Sequence, residues 1–315
     1  MPEPTLEYPL NESAQYFDFA AFWQKFQSRM VRVDGVSLHY VEGGTGAPVL
    51  LIPGWPQSWF AWRFVMQELV KAGRHVIAID PRGMGDSDHP SSGYDMTTIA
   101  NEIRAFLDRT GLLADGAIDV VGHDIGTWIA YALAADHGDA VKSLAVFDGA
   151  LPGITPPPPA GIPSEAVNVK TWHFAFNRLD DLPEILITGR ERAFLGWLFG
   201  AKSTQSHVFD RATMDEYVRV NTRPGALRAA LAYYKTAFSP AAMEDAAKRA
   251  TRHLAMPVMA FGAEYGVGPV LKNTLADIAD HCAGGVLAGI GHYIPEECPA
   301  TVSALLGQFW TDHHA

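Results

Sequence analysis

One short segment carries the plainest chemical signal in the chain. Gly122-His123-Asp124-Ile125-Gly126 has the form Gly-x-nucleophile-x-Gly, preceded by the apolar run 117–121 and followed by a helix-forming stretch, 127–136, with Gly138 as its expected stop. That spacing predicts a sharp strand-to-helix turn, with a strained central residue and glycines that let neighbouring backbone come close. A side chain at the centre projects beyond the sheet at a helix N-terminus, where backbone N–H groups favour negative charge. Here the central residue is Asp124, whose carboxylate is nucleophilic at neutral pH without a base. It would attack an sp3 carbon bearing a good or strained leaving group and form an alkyl ester. The competing reading is that Asp124 merely caps the helix that follows.

Such a turn needs a sheet to hold it. Residues 31–33 and 36–41, joined by Asp34-Gly35, predict a hairpin. Apolar strand-like runs follow at 48–53, 75–80, 117–121 and 143–147, with helical stretches at 59–72 and about 97–110 between them. Strands alternating with helices predict an α/β class with a mostly parallel, doubly wound sheet. The alternation then stops. Residues 151–164 are rich in Pro and Gly, including four prolines at 156–159, and helical patterns at 182–189, 190–199, 209–220 and 226–238 predict an inserted helical cap over 151–249. Strands at 257–261 and 285–288 and a last helix at about 300–310 return the chain to the core, which is expected to comprise 31–150 and 250–315. Residues 1–30 are expected to pack on that core. Phe19, Phe22, Trp23 and Phe26 recur at helical spacing and predict a short amphipathic helix there.

Composition removes several classes of function. The chain has 24 Lys and Arg against 35 Asp and Glu, a formal charge of −11, which argues against nucleic acid and anionic membranes as partners. Cys282 and Cys298 lack metal-ligand spacing and read as inert thiols, so no metal is expected. No run of about 18 uncharged apolar residues occurs, and the N-terminus lacks a charged segment followed by an apolar one. A soluble protein, cytoplasmic by default, is the expectation.

Taken with Pro53-Gly54-Trp55-Pro56, Asp80-Pro-Arg-Gly-Met-Gly-Asp-Ser87 and Gly291-His292, the Asp-bearing turn resembles the epoxide hydrolase and dehalogenase branch of the α/β-hydrolase fold, from about residue 30 to the C-terminus. The resemblance implies that His292 is the base that drives water onto the ester. A carboxylate should orient that base. Asp148, 24 residues after Asp124, is the preferred candidate, and Glu264 is the reserve. The backbone N–H groups of Trp55 and Ile125 are the implied oxyanion donors. Pro53 stands where the family carries His, which leaves those donors in place. The family's ring-opening donor in a Tyr-Lys sequence matches Tyr234, with Tyr233 expected to pack. Trp172-His173-Phe174 occupies the early cap, and His173 is the implied second donor. This His/Tyr pair resembles the Cif-like subclass of bacterial epoxide hydrolases. That subclass has a disulfide which Ile290 precludes here, and its relatives make a homodimer the expected assembly.

The expected reaction is therefore opening of an epoxide to a vicinal diol without a cofactor. The enzyme alternative is a haloalkane or haloacid dehalogenase using the same Asp124. Ile125 and Trp128 stand where haloalkane or haloacetate enzymes would place halide-binding Trp or carboxylate-binding Arg. The non-enzyme alternative is a ligand-binding protein built on the same fold, which the presence of nucleophile, base and acid disfavours.

Overall fold

The computed structural model describes residues 17–157 and 161–313. The chain enters through a short helix α1 (Phe19–Trp23), then the hairpin β1 (Phe26–Val33) and β2 (Val36–Gly43). The core continues as β3 (Pro48–Ile52), α2 (Arg63–Lys71), β4 (His75–Asp80), α3 (Met96–Thr110), β5 (Ile118–His123), α4 (Ile125–Asp136) and β6 (Val141–Phe147). Among the described residues, six α-helices are inserted next: α5 (Glu165–Phe176), α6 (Leu182–Ile187), α7 (Glu191–Lys202), α8 (Arg211–Asn221), α9 (Ala226–Ala237) and α10 (Pro240–Ala250). The core closes with β7 (Val258–Ala263), α11 (Val270–Ala276), β8 (Cys282–Leu287), α12 (Ile294–Glu297) and α13 (Pro299–His313).

Local chemistry sets these boundaries. Asp95 caps α3 by accepting from Thr98 N, and Gly111 ends it in the left-handed conformation. Asp210 caps α8 through Thr213 N, and Ser239 caps α10 with Pro240 in its first turn. Two expectations need correction. Phe26 lies on β1 rather than on the predicted N-terminal helix, which ends at Trp23. Phe26 still stacks on Phe22, ring centroids 4.1 Å apart, so the aromatic stripe forms one cluster across a helix-to-strand turn. Helix α4 ends at Asp136 with His137 as its cap, and Gly138, whose φ is not positive, does not supply a left-handed stop. Of the Pro- and Gly-rich stretch, residues 158–160 lie outside the described residues, as do residues 1–16 of the N-terminal segment.

The eight strands among the described residues form one sheet in the order β1-β2-β4-β3-β5-β6-β7-β8, in which β2 runs antiparallel to both of its neighbours, β1 and β4, and every other pair is parallel. Both faces are covered, and strand alternation divides the core between them. Leu50, Ile52, Ile77, Ile79 and Val120 join the α3 and α4 side, while Val49, Leu51, Val76, Ala78 and Val121 join the α2 and α13 side. Strand β5 is buried along its whole length between β3 and β6, with Ile52 beside Gly122 and His123 beside Phe147. The carboxyl ends of β3, β5, β6, β7 and β8 therefore open onto one rim, where ligands bind in open parallel sheets. Among the described residues no helix is long and apolar enough to cross a membrane.

Candidate active site

The Asp124 turn is as tight as the glycines allow. A Cβ on Gly122 would lie 2.3 Å from Gly126 O, and one on Gly126 would lie 2.1 Å from Ile52 O, so only glycine lets these backbones pass. Asp124 itself has φ 53 and ψ −119, and its side chain makes no capping hydrogen bond to α4. A helix cap would have extended dihedrals and would accept from the first turn. The carboxylate instead faces the rim. Its Oδ1 accepts from Trp55 N at 2.8 Å, the nearby Ile125 N–H favours the carboxylate, and its Oδ2 is 3.3 Å from His292 Nε2.

His292 follows β8 in a loop held from three sides. Its Nδ1 lies 2.6 Å from Asp148 Oδ2, its carbonyl accepts from His123 Nε2 at 2.7 Å, and its N–H donates to Lys202 O at 2.8 Å. Asp148 is buried at the end of β6, and its Oδ1 accepts from Ala263 N and Val267 N. The carboxylate is thereby aimed at the imidazole, and since it can only accept, Nδ1 is the donor. Glu264, the reserve acid, is exposed, and its carboxylate is occupied by Gly289 N at 2.7 Å. The two candidate acids thus lie in different surroundings, and Asp148 is the one against the His292 ring.

Burial and charge set the protonation of this group. Burial works against ionising Asp124, but the His292 hydrogen bond and charge, helped by His123 and the Ile125 N–H, outweigh it and hold the carboxyl well below its usual range. For His292, burial lowers the pKa, yet hydrogen bonds and charge from Asp124 and Asp148 raise it to about 9. The resting pair is therefore carboxylate and imidazolium at neutral pH.

The insert supplies the roof. His173, on α5, is buried with its ring stacked 6.0 Å from that of Trp55 and edge-on to Tyr234 of α9 at 5.7 Å. Tyr234 is also edge-on to Trp55 at 5.5 Å and to Trp128 at 5.8 Å. Burial, the Lys202 charge and the His292 charge hold the His173 pKa well below normal, against the pull of Asp124, so the imidazole is neutral. Burial and the Asp124 charge push the Tyr234 hydroxyl well above its usual value, which keeps it protonated. Tyr233, expected to pack, donates to Arg82 O at 2.8 Å and is buried against Tyr94.

Two residues were not found from sequence. Lys202, the last residue of α7, places Nζ 3.1 Å from Nδ1 and 3.3 Å from Nε2 of His173. Burial lowers its pKa to about 8, although the charges of Asp124 and Asp148 favour the ammonium. Glu297 accepts from Gly291 N and Tyr293 N on either side of His292, and from Thr204 N, Thr204 Oγ1 and Gln205 N just after α7. A lone lysine ending an apolar helix has no motif, and the Glu297 contacts join segments about ninety residues apart. Ile290 and Cys298 share one apolar cluster, and the Cys298 thiol donates to Ile294 O. Among the described residues, His39, Asp80 and Asp86 approach the spacing of an ion site. They are already paired, His39 Nδ1 with Asp80 Oδ2 at 2.8 Å and Asp86 with Arg219 and Arg223.

A sheet switching strand to helix at a Gly-flanked carboxylate, with a His–Asp pair behind it, defines the class. The chain belongs to the α/β-hydrolase fold family, which it matches over residues 47–265. More particularly, it falls among that family's epoxide hydrolases. It is 33% identical over 274 residues to the soluble epoxide hydrolase of Corynebacterium sp. (strain C12), covering 86% of this chain and 92% of that protein. Two solved structures are similar throughout. Cfl2 from Burkholderia cenocepacia has a TM-score of 0.85 at 40% identity, over 90% of this chain and 96% of Cfl2. The epoxide hydrolase CorEH has a TM-score of 0.81 at 31% identity, over 91% and 99%.

Proposed function

We propose that this chain converts an epoxide to a vicinal diol through an alkyl ester on Asp124. The observation that carries the reading is the division of labour across one carboxylate: Oδ1 rests on the Trp55 N–H while Oδ2 lies toward His292. Oδ2 attacks the oxirane carbon as His173 and Tyr234, from the helical cap, donate hydrogen bonds to the ring oxygen. An sp3 carbon becomes bonded to Asp124 and the C–O bond of the strained ring breaks. Alkylation abolishes the Asp124 charge, one of the two that keep the proton on His292. The pKa of His292 therefore falls, and the step that makes the ester also readies the base. Water loses a proton to His292, oriented by Asp148, and adds to the ester carbonyl, whose oxyanion is Oδ1 on the Trp55 and Ile125 N–H groups. Every group in this sequence of steps is a side chain or backbone amide of the chain itself, and the reading calls for no cofactor.

The test is to mix the His292→Gln variant with a small epoxide and weigh the intact protein. An adduct equal in mass to the whole epoxide is expected to accumulate, because alkylation survives and hydrolysis does not. A haloalkane giving an alkyl adduct while epoxides give none would replace the reading with a dehalogenase. No adduct from either would leave the ester mechanism without support. Exposed Ile185, Leu186 and Trp197 on the insert favour the homodimer as well. Light scattering would read it as twice the chain's 34.2 kDa.

A further inference from the structure

Ring opening leaves a negative oxygen, and the two donors beneath the cap are poor acids. His173 is held neutral and Tyr234 is held above its ordinary pKa. Either can steady an alkoxide by hydrogen bonding, but neither holds a proton it releases readily near neutral pH. Beside them lies a third group that does. Lys202 Nζ touches both ring nitrogens of His173, and among the described residues no carboxylate lies within ion-pair distance of it. A desolvated ammonium without a counter-ion is costly, and an arrangement of this kind calls for negative charge to arrive.

We propose that Lys202 is the proton source for the opened ring, acting through His173. An ammonium has only N–H donors, so the imidazole nitrogen that receives it must be the one with a free lone pair. The other nitrogen then carries the N–H. Nζ lies within reach of both ring nitrogens, 3.1 Å from Nδ1 and 3.3 Å from Nε2, so whichever one accepts from it leaves the N–H on the other. Protons balance across the cycle. As Asp124 Oδ2 forms its bond to carbon, the ring C–O bond breaks with its electron pair on oxygen. That oxygen takes the His173 N–H proton, His173 takes one from Lys202 at its other nitrogen, and the lysine is left as a neutral amine. In the hydrolytic half, His292, an imidazolium at rest, first loses its proton to solvent because the ester carries no charge; it then removes a proton from water and returns it to the departing diol oxygen. Asp124 is released as the carboxylic acid and ionises; one proton re-enters His173 at the nitrogen emptied by ring opening and sends the other ring proton back to Lys202, and one from solvent restores the His292 imidazolium.

The groups facing Lys202 come from four elements: His173 on α5, Asp124 after β5, Asp148 after β6, and His292 after β8, whose N–H binds the Lys202 carbonyl. The two carboxylates favour the ammonium and burial opposes it, which leaves the pKa at about 8. A lysine so placed is both charged at pH 7 and willing to give up its proton, the balance a general acid needs. Acting through its contact with the His173 ring, it is a positioning residue and proton reservoir rather than a contact to substrate.

The inference rests on the ester mechanism, and its test is built to separate the two. Alkylation by a small epoxide is followed by rapid quench and intact mass in the His292→Gln background, which removes the titration of His292. With Lys202 present, the rate constant should fall as pH rises past the lysine's pKa. Adding Lys202→Met should slow alkylation at pH 7 by about 100-fold and abolish that limb. Lys202→Arg keeps the charge but holds its proton throughout, so it too should lose the limb and stay below the parent rate at pH 7. A Met variant within twofold of the parent, or one that keeps the limb, overturns the proposal. So does an Arg variant that restores the full rate, since charge alone would then suffice. If the Met variant fails to fold, the Arg variant decides. Adducts forming equally fast in all three proteins would overturn the Lys202 role and leave the ester mechanism standing, whereas no adduct in any would overturn both.

Discussion

At the scale of single residues, Asp124 and His292 were legible because each is announced by its own neighbours, glycines flanking the one and Gly291 preceding the other. Asp148 against Glu264 was not decidable from spacing, since both end a strand on the same rim. Only the packed sheet shows that Asp148 lies 2.6 Å from His292 Nδ1 while Glu264 is taken up by Gly289. The difference predicts unequal variants. Asp148→Asn puts an amide where the acceptor must be, and an amide can present its N–H₂ and invert the His292 tautomer. Hydrolysis of the alkyl-enzyme should slow by roughly 10³ to 10⁴, while alkylation changes far less. Glu264→Gln should leave both steps within about twofold. In the parent protein the hydrolytic rate should rise with pH through an apparent pKa below the value of about 9 in the resting site, because the ester no longer holds the His292 proton. Single-turnover decay of the ester, read by mass across pH, measures all three. Equal effects at Asp148 and Glu264 would refute the assignment.

At the scale of elements, the strands and helices of the core were legible because buried parallel strands read as continuous apolar runs and the helices between them as periodic ones. The N-terminal aromatic stripe misled for a physical reason: Phe22 and Phe26 stack whether the segment is one helix or turns into a strand, so helical spacing recorded the contact rather than the conformation. Register was out of reach, yet register is what sets the turn after β3 against the turn after β5. Gly54 marks that meeting. A Cβ there would lie 2.3 Å from Asp124 Cβ and 2.6 Å from Oδ1, so the two loops touch through a hydrogen atom. Gly54→Ala must push Asp124 or the Trp55 N–H aside. The loss of one such donor predicts a fall of about 10² to 10³ in turnover, with a stability cost of only about 1–3 kcal/mol from overpacking. Steady-state kinetics beside urea unfolding would show whether activity and stability part in this way. A variant that loses both together would mean the turn serves folding first.

At the scale of the whole molecule, the site exists only while the insert sits on the core, because Asp124, Asp148 and His292 come from one and His173, Tyr234 and Lys202 from the other. Periodicity told helix from strand but could not say which helix meets which loop, and the fastening is polar and buried. Arg63 on α2 forms a buried ion pair with Glu296 on α12 and donates to Thr213 Oγ1 on α8, while Gln57 bridges Glu296 Oε2 and the Tyr217 hydroxyl, also on α8. Burial raises the Glu296 pKa, against the lowering effect of Arg63, Tyr217 and Gln57. Removing the guanidinium alone leaves a buried carboxyl with its main counter-charge gone. Arg63→Met should therefore cost about 3–5 kcal/mol near neutral pH, whereas Arg63→Met with Glu296→Leu should cost less than the two single changes added together. The sign of the pH effect follows from the direction of the shift. A carboxyl whose folded pKa lies above its unfolded value is best tolerated below the unfolded pKa, and that tolerance is lost as pH rises through the folded one. The Arg63→Met penalty should accordingly shrink at pH 5 relative to pH 8, while the double variant, lacking the carboxyl, should show no such change. Urea midpoints for the four proteins at the two pH values test this. Additive losses that ignore pH would show that the insert is held by its apolar contacts and that the ion pair is incidental to it.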